Sequence, residues 1–402
     1  MKNTDYHTII VGAGVAGICL AKGLSYAKKS VLIIEENLFG GTSIYNGCTP
    51  SKTLLSNSNY PNALRLTQSK VAEFANENNE IALKSLGVHC IKAKASFINE
   101  HTLSCLLDNG SVRNVTGKFI VIATGNKSYH RQYAELFKLT TPPPSLIIEG
   151  SDCFDIEMAE AFCNLGSKVT IKSEDERILK TEEPEVADFI QRKLEEKGVN
   201  FQFNNKTEKS FCDSMQMSEI GIFYNDHGIE VDKFGRTSKK NIFAIGDVMG
   251  KGNHTHLAIY QAKTVLKSLL YAPLCFSLSD KPIPRTLFSE HEVASIGLLE
   301  SEAISLYGKD RIRTHILPFC LIPRAIHDGH TEGFIKMTIK KWGKKIVGAS
   351  ILGRRAHESL GVIAFAMDQN LSIRKIDRMI TPYPTYLDGI KKIIEVFLVE
   401  KD

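Results

Sequence analysis

The chain has 402 residues, of which 43% are hydrophobic and 24% charged, and a formal net charge of +5. That is ordinary for a soluble globular protein of two or three domains. The basic residues are scattered apart from short runs such as Lys340-Lys341 and Lys344-Lys345, read as a solvated face, so neither a nucleic-acid nor a membrane partner is expected.

Tyr6 to Val11 reads as a first strand so close to the start that no signal peptide is expected before it, and no apolar run is long enough to span a bilayer. The nine cysteines (Cys19, Cys48, Cys90, Cys105, Cys153, Cys163, Cys212, Cys275 and Cys320) show no paired CxxC spacing. Neither zinc nor a disulfide framework is expected, a reducing cytoplasm fits, and the cysteines other than Cys48 read as core residues.

After the strand Thr8-Ile9-Ile10-Val11 comes Gly12-Ala13-Gly14-Val15-Ala16-Gly17, then a helical stretch through Ala27 and a second strand, Val31 to Ile34, ending on Glu35. A lone GxGxxG is weak, but here a strand precedes it, a helix follows and an acid stands eighteen residues beyond the last glycine. Gly12 makes the tight turn, Gly14 lets the backbone approach a pyrophosphate at the helix N-terminus, and Gly17 lets helix pack on strand. Glu35 would accept hydrogen bonds from an adenosine ribose.

The next segment, Gly40-Gly41-Thr42-Ser43-Ile44-Tyr45-Asn46-Gly47-Cys48-Thr49-Pro50-Ser51-Lys52, looks like a redox-dithiol motif with serine in place of its first thiol. A hydroxyl has no accessible redox couple, so Ser43 and Cys48 cannot cycle between dithiol and disulfide. The stretch resembles the active site of the class I pyridine nucleotide-disulfide oxidoreductases, the group of dihydrolipoamide dehydrogenase, glutathione reductase and mercuric reductase. By that resemblance Cys48 is the flavin-side thiol and the substrate-exchanging thiol is the one lost.

The resemblance implies FAD as cofactor. Thr42, Ile122-Ala123-Thr124-Gly125, Thr237-Ser238 and Phe243-Ala244-Ile245-Gly246-Asp247 match flavin-binding parts of the family, with Asp247 in the place of the aspartate that bonds the ribityl chain. Lys52 and Glu157 match its lysine-glutamate pair beside flavin N5. Between Lys52 and Gly87-Val88 the chain is shorter than in typical relatives, which implies a more open flavin pocket.

A second strand-helix-strand unit begins at Leu146-Ile147-Ile148 and continues through a helix to Leu165 and a strand Val169 to Ile171. The family places its nicotinamide domain here, but of the three expected glycines only Gly150 is present; Asp152 and Asp155 stand at the other two. A carboxylate about 4 Å from a phosphate charge costs about 1 kcal/mol in water and about 4 at an effective dielectric of roughly 20. As N-cap and first-turn residues the same aspartates would satisfy the helix N-terminus themselves. A short polar piece then leads from Gly198-Val199-Asn200-Phe201 to Gly228-Ile229-Glu230-Val231-Asp232, where the family runs through more strands.

From Pro284 onward the chain reads as an independent α+β unit, with strands Phe334 to Ile339 and Ile346 to Leu352 joined at Lys341-Trp342-Gly343 and a helix from Arg355 to Gln369. It resembles the family's dimerisation domain, including Val293-Ala294-Ser295-Ile296-Gly297 and Gly348-Ala349, and so implies a homodimer. Tyr383-Pro384-Thr385-Tyr386-Leu387-Asp388 matches the place of a His-Glu dyad, with Tyr383 for histidine and Asp388 for glutamate. Tyrosine, with a reference pKa near roughly 10, does not replace histidine as a neutral-pH base without a large shift. A tyrosine that packs at a subunit interface is the other reading.

The expected fold is therefore α/β. It comprises an FAD-binding Rossmann-like domain (1–140 and 226–280), a truncated second nucleotide-binding-like domain (141–225) and an α+β dimerisation domain (281–402). The expected function is an FAD-dependent oxidoreductase, oxidase or dehydrogenase, that acts on a small-molecule substrate at the flavin and has lost the dithiol relay and NAD(P)H use. Two other readings stay open, a non-catalytic FAD-binding dimer and a non-redox enzyme using the flavin pocket. Cys48 is either a thiolate stabilised near a helix N-terminus or an inert relic.

Overall fold

The computed structural model describes residues 4–126, 133–204, 215–250, 252, 254–278 and 281–400. The chain opens with β1 (Tyr6–Val11), α1 (Val15–Tyr26), β2 (Val31–Glu35), α2 (Gly41–Tyr45), α3 (Cys48–Asn57), α4 (Ala63–Asn78) and α5 (Glu80–Ser85). The strands β3 (His89–Asn99), β4 (Thr102–Leu107), β5 (Val112–Ile122) and β6 (Ser145–Glu149) follow, then α6 (Cys153–Asn164), β7 (Lys168–Lys172), α7 (Pro184–Glu196) and β8 (Asn200–Gln202). Next come β9 (Ile242–Ala244), α8 (Thr255–Leu270), β10 (Arg285–Leu287), β11 (Val293–Gly297), α9 (Glu300–Tyr307), β12 (Ile312–Pro318) and α10 (Pro323–Asp328). The chain closes with β13 (Phe334–Lys340), β14 (Ile346–Leu352), α11 (Ala356–Asp368), α12 (Ile373–Asp377) and α13 (Leu387–Val399).

Two compact units divide these elements. The first is Met1–Leu54, Asn62–Thr141 and Glu208–Ser279; the second is Leu55–Pro61, Pro142–Thr207 and Asp280–Asp402.

In the first unit β3, β2, β1, β5 and β9 pair in parallel in that order. The run Ile9-Ile10-Val11 and Val31 to Ile34 are buried, as strands covered on both faces must be. Apolar clusters lie on both sides, one built on Ile9, Leu32 and Ile120, the other on Ile10, Ile33 and Val121. The long strands β3 and β5 leave the parallel layer and splay around β4, pairing with it antiparallel. Strand order reverses at β1, and the crevice beyond the carboxyl ends of β1 and β5 is where an open α/β sheet takes its ligand.

The second unit holds two sheets. One is short and parallel, β6-β7-β8, with α6 beginning at the end of β6; the other is antiparallel, β10-β11-β14-β13-β12. On the antiparallel sheet, Ile335, Met337 and Ile351 share a core with Leu360 and Ile363 of α11 and Ile390, Ile393 and Ile394 of α13. Residues 142–207 and the C-terminal residues thus belong to one unit, although the sequence reads them as separate. Ion pairs contribute to this: Lys336 on β13 is 3% exposed and bonds Glu183 (3.0 Å), Glu185 (2.9 Å) and Glu300 (2.9 Å). Burial by itself would lower the Lys336 pKa, but those three carboxylates hold it well above the usual lysine range.

Two expectations need correction. Lys344 is not part of a solvated face: it is buried, and its Nζ donates to the carbonyl of Phe397 at 3.1 Å. Of the cysteines read as core, only Cys105 is fully buried and Cys320 is exposed, while Cys212 lies outside the described residues.

Candidate flavin site

The loop after β1 is held tightly. Gly12 N–H donates to the Ile34 carbonyl (2.8 Å) and Ala123 N–H to the Val11 carbonyl (2.7 Å), which sets the ends of β1, β2 and β5 side by side. A Cβ on Gly12 would lie 2.3 Å from the Ala123 carbonyl oxygen, and one on Gly17 would lie 2.0 Å from that of Gly12. Both positions exclude side chains because backbone meets backbone there. Gly14, the N-cap of α1, has open space where its side chain would be. No side chain caps this helix and no acid stands in its first turn, so its N–H groups and positive dipole end remain available to an anion.

Glu35 is placed by the loop it faces. Its carboxylate accepts the N–H of Ala13 at 2.7 Å and that of Asn37 at 2.9 Å, which fixes it and leaves further lone pairs for a donor. Across the crevice, Gly246 N–H donates to Oε1 of the buried Gln261 on α8 at 2.7 Å, which orients the turn carrying Asp247. Burial pushes the Asp247 carboxyl up to about 6.

Gly12, Gly14, Glu35, Thr42, Ser43, Cys48, Thr124, Gly125, Gly246, Asp247 and Thr255 line one cavity of about 430 Å³. Gly17 does not line it but packs against Gly12, which does. Lys52 stands on α3 without lining it, and Glu157 and Tyr383 belong to the second unit. Glu157 is 1% exposed, not a surface charge, and accepts the N–H of Phe288 at 3.0 Å. Three residues on along α6, Glu160 accepts the N–H of Glu290 (3.1 Å) and pairs with Lys197 (2.6 Å). Tyr383 is 74% exposed, while Asp388 is buried and accepts the N–H of Thr385 at 2.9 Å.

Thr255 and Gln261 escaped the sequence reading. Both sit on α8 just after the Gly-Asp turn, and nothing local marks either as part of a cavity. Thr255 Oγ1 lies 3.2 Å from Cys48 Sγ and 3.3 Å from Ser43 Oγ, joining the thiol to the serine beside it.

The second strand-helix-strand unit has the same start and the opposite chemistry. Asp152 accepts the N–H groups of Phe154 (3.1 Å) and Asp155 (3.3 Å), and Asp155 Oδ2 accepts that of Asp152 (3.1 Å). This is a reciprocal capping box. A helix start that spends its N–H groups on two carboxylates of its own has little left for a phosphate, whereas the start of α1 is open.

A cavity with a bare helix N-terminus at its glycine loop and with Glu35 and Asp247 in its wall fits a flavin dinucleotide. Among the described residues no group of three or more His, Cys, Asp or Glu side chains is placed to hold a metal ion, and no helix is long and apolar enough to cross a membrane.

Residues 6–214 and 212–262 match the model of the pyridine nucleotide-disulphide oxidoreductases, and residues 283–394 match the dimerisation domain of the same family. The dihydrolipoyl dehydrogenase of Geobacillus stearothermophilus is 27% identical, covering 98% of this chain and 96% of the relative. That alignment runs over 458 positions against the 402 residues here, so the relative has segments this chain lacks. A mercuric reductase of Bacillus cereus is 25% identical over 98% of this chain and 72% of its own length. Among solved structures, the Cu(II) complex of a cysteine-to-serine mutant of the HOCl-induced flavoprotein disulfide reductase RclA from Escherichia coli superimposes with a TM-score of 0.89. It is 26% identical and covers 99% of this chain and 100% of that one. The chain belongs to the pyridine nucleotide-disulphide oxidoreductase family and is an FAD-dependent oxidoreductase.

Proposed function

We propose that this protein oxidises a small molecule bound at its flavin and has given up both the dithiol relay and the use of NAD(P)H. The observation that carries the reading is the closed N-terminus of α6, where Asp152 and Asp155 consume the N–H groups that a nicotinamide dinucleotide would need. Serine at residue 43 supports it independently, since Cys48 then has no neighbouring thiol to pair with in that motif.

FAD, when bound, supplies a redox centre that takes two electrons from one partner and passes them to another. Gly12, Gly14 and the start of α1 would hold its pyrophosphate, Glu35 its ribose, and Asp247 its ribityl chain, while Thr42, Thr124 and Gly125 complete the wall. Cys48 would stand at the reacting end, and Lys52 and Glu157 keep, by resemblance, the residue types of the family's lysine-glutamate pair. Tyr383 would pack at a subunit interface in place of an acid-base group.

The chain would work as a homodimer through residues 281–402, with 1–140 and 226–280 binding FAD and 141–225 surviving as scaffold. A reducing cytoplasm suits the free thiols at the eight described cysteines.

The test is anaerobic mixing of the FAD-loaded protein with NADH, NADPH and candidate organic donors while flavin absorbance is followed. The expected result is no rapid bleaching by either nicotinamide and bleaching by an organic donor, with reoxidation by oxygen, a quinone or a redox protein. Rapid bleaching by NADH or NADPH would show the second site to be live. No bleaching by any donor would favour a structural flavin, and turnover without spectral change a non-redox enzyme.

A further inference from the structure

We propose that Ser43 and Thr255 are positioning residues that hold Cys48 through a chain of two hydroxyls, so that the serine in the place of the lost thiol has a role of its own. The inference rests on Cys48 being the reactive thiol of the site, but its test reads the chemistry of Cys48 directly and does not depend on turnover.

The geometry is short and closed. Ser43 Oγ, Thr255 Oγ1 and Cys48 Sγ form a line with separations of 3.3 and 3.2 Å, all three on the cavity wall. Each comes from a different element: Ser43 from α2, Thr255 from the first residue of α8, and Cys48 from the first residue of α3. Thr255 is 212 residues from Ser43 and 207 from Cys48. The α2 end of the line is seated tightly, since a Cβ on Gly41 would lie 2.5 Å from Gly14 Cα.

Hydrogen-bond counting gives the line a direction. A hydroxyl carries one hydrogen and accepts through oxygen, whereas a thiolate only accepts. When Cys48 is a thiolate, the single Thr255 hydrogen must point at sulfur, and the Thr255 oxygen is then free to accept from Ser43. The order Ser43 to Thr255 to Cys48 follows. When Cys48 carries its proton, the sulfur can donate to Thr255 and the order runs the other way, through a much weaker S–H donor. A bond to a charged acceptor is the stronger of the two, so the line favours the thiolate. A cysteine at residue 43 would be open to disulfide formation with Cys48, which would remove the acceptor; a serine cannot form that bond.

The position of Cys48 adds to this. Its helix α3 has no acid in its first turn, so the dipole at its start acts in the same sense on a negative sulfur.

The experiment measures the alkylation rate of Cys48 by iodoacetamide in the FAD-loaded protein. Mass spectrometry of the peptide carrying Cys48 keeps the exposed Cys320 from interfering. Thr255→Val should slow alkylation about tenfold at neutral pH, as expected for loss of a bond to a charged acceptor. Thr255→Ser should restore the original rate, and Ser43→Ala should shift it in the same direction as Thr255→Val by a smaller factor. An unchanged rate in Thr255→Val that retains its FAD and circular dichroism would overturn the proposal. So would failure of Thr255→Ser to restore the rate, or no effect of Ser43→Ala. If Thr255→Val does not fold, Ser43→Ala still decides the outcome.

Discussion

Asp155 folds its carboxylate back over Gly150, so that a Cβ on that glycine would lie 2.2 Å from Asp155 Oδ2. Gly150 has a φ of +133°, a conformation that side chains rarely adopt, and the crowding by Asp155 closes the loop further. The place where the first strand-helix-strand unit is open is filled here by the protein itself.

Asp152→Ala should therefore cost about 1 kcal/mol of stability, the usual worth of an N-cap carboxylate, while leaving FAD binding unchanged. Urea denaturation of the two proteins measures the difference. A loss of FAD affinity in this variant would contradict the separation of roles.

The two glycines of the first loop should respond differently to alanine. Gly14→Ala meets no neighbour, so the chain should fold normally and bind FAD more weakly, because the new methyl stands in the cavity wall. Gly17→Ala places Cβ 2.0 Å from the Gly12 carbonyl and should lower the melting temperature even without FAD. Thermal scans with and without added FAD distinguish the two.

FAD binding should weaken at acid pH through Asp247. Its folded pKa of about 6 is raised by burial above the ordinary aspartate value. In the FAD-free chain the folded state thus holds the proton more tightly than the unfolded state, and stability falls as pH rises through about 6. A ribityl hydroxyl donating to the carboxylate offsets that penalty, so the rise in melting temperature on adding FAD should be larger at pH 8 than at pH 5. Asp247→Asn should flatten the difference.

Lys336→Ala should be the most destabilising of these changes. It strands the buried Glu183, and breaking a buried pair by removing one partner costs about 3–5 kcal/mol. The double variant Lys336→Ala with Glu183→Gln should recover part of the loss, read as a non-additive term in urea melts. Full additivity would mean that the pair contributes nothing beyond its packing.

Much of the site was legible in the chain because its signals are local. The run from Thr8 to Glu35 carries strand, glycine turn, helix and acid within one short stretch, and the capping role of Asp152 and Asp155 follows from their spacing of three. The structure places these elements as expected, with α1 starting at Val15 and α6 at Cys153.

Folding added the relations that no local pattern carries. The buried Glu157 meets the N–H of Phe288, 131 residues away, and the buried Lys344 meets the carbonyl of Phe397, 53 residues away. The union of residues 142–207 with the C-terminal sheet is supported by Lys336, whose three carboxylate partners lie on two separate stretches of chain, Glu183 and Glu185 at the start of α7 and Glu300 at the start of α9. Periodicity and spacing report which face of an element is apolar; they do not report which distant backbone or carboxylate will meet it. Residue identity showed that Ser43 had replaced a thiol. Only the meeting of α2, α3 and α8 shows that its hydroxyl is joined to Cys48 through Thr255.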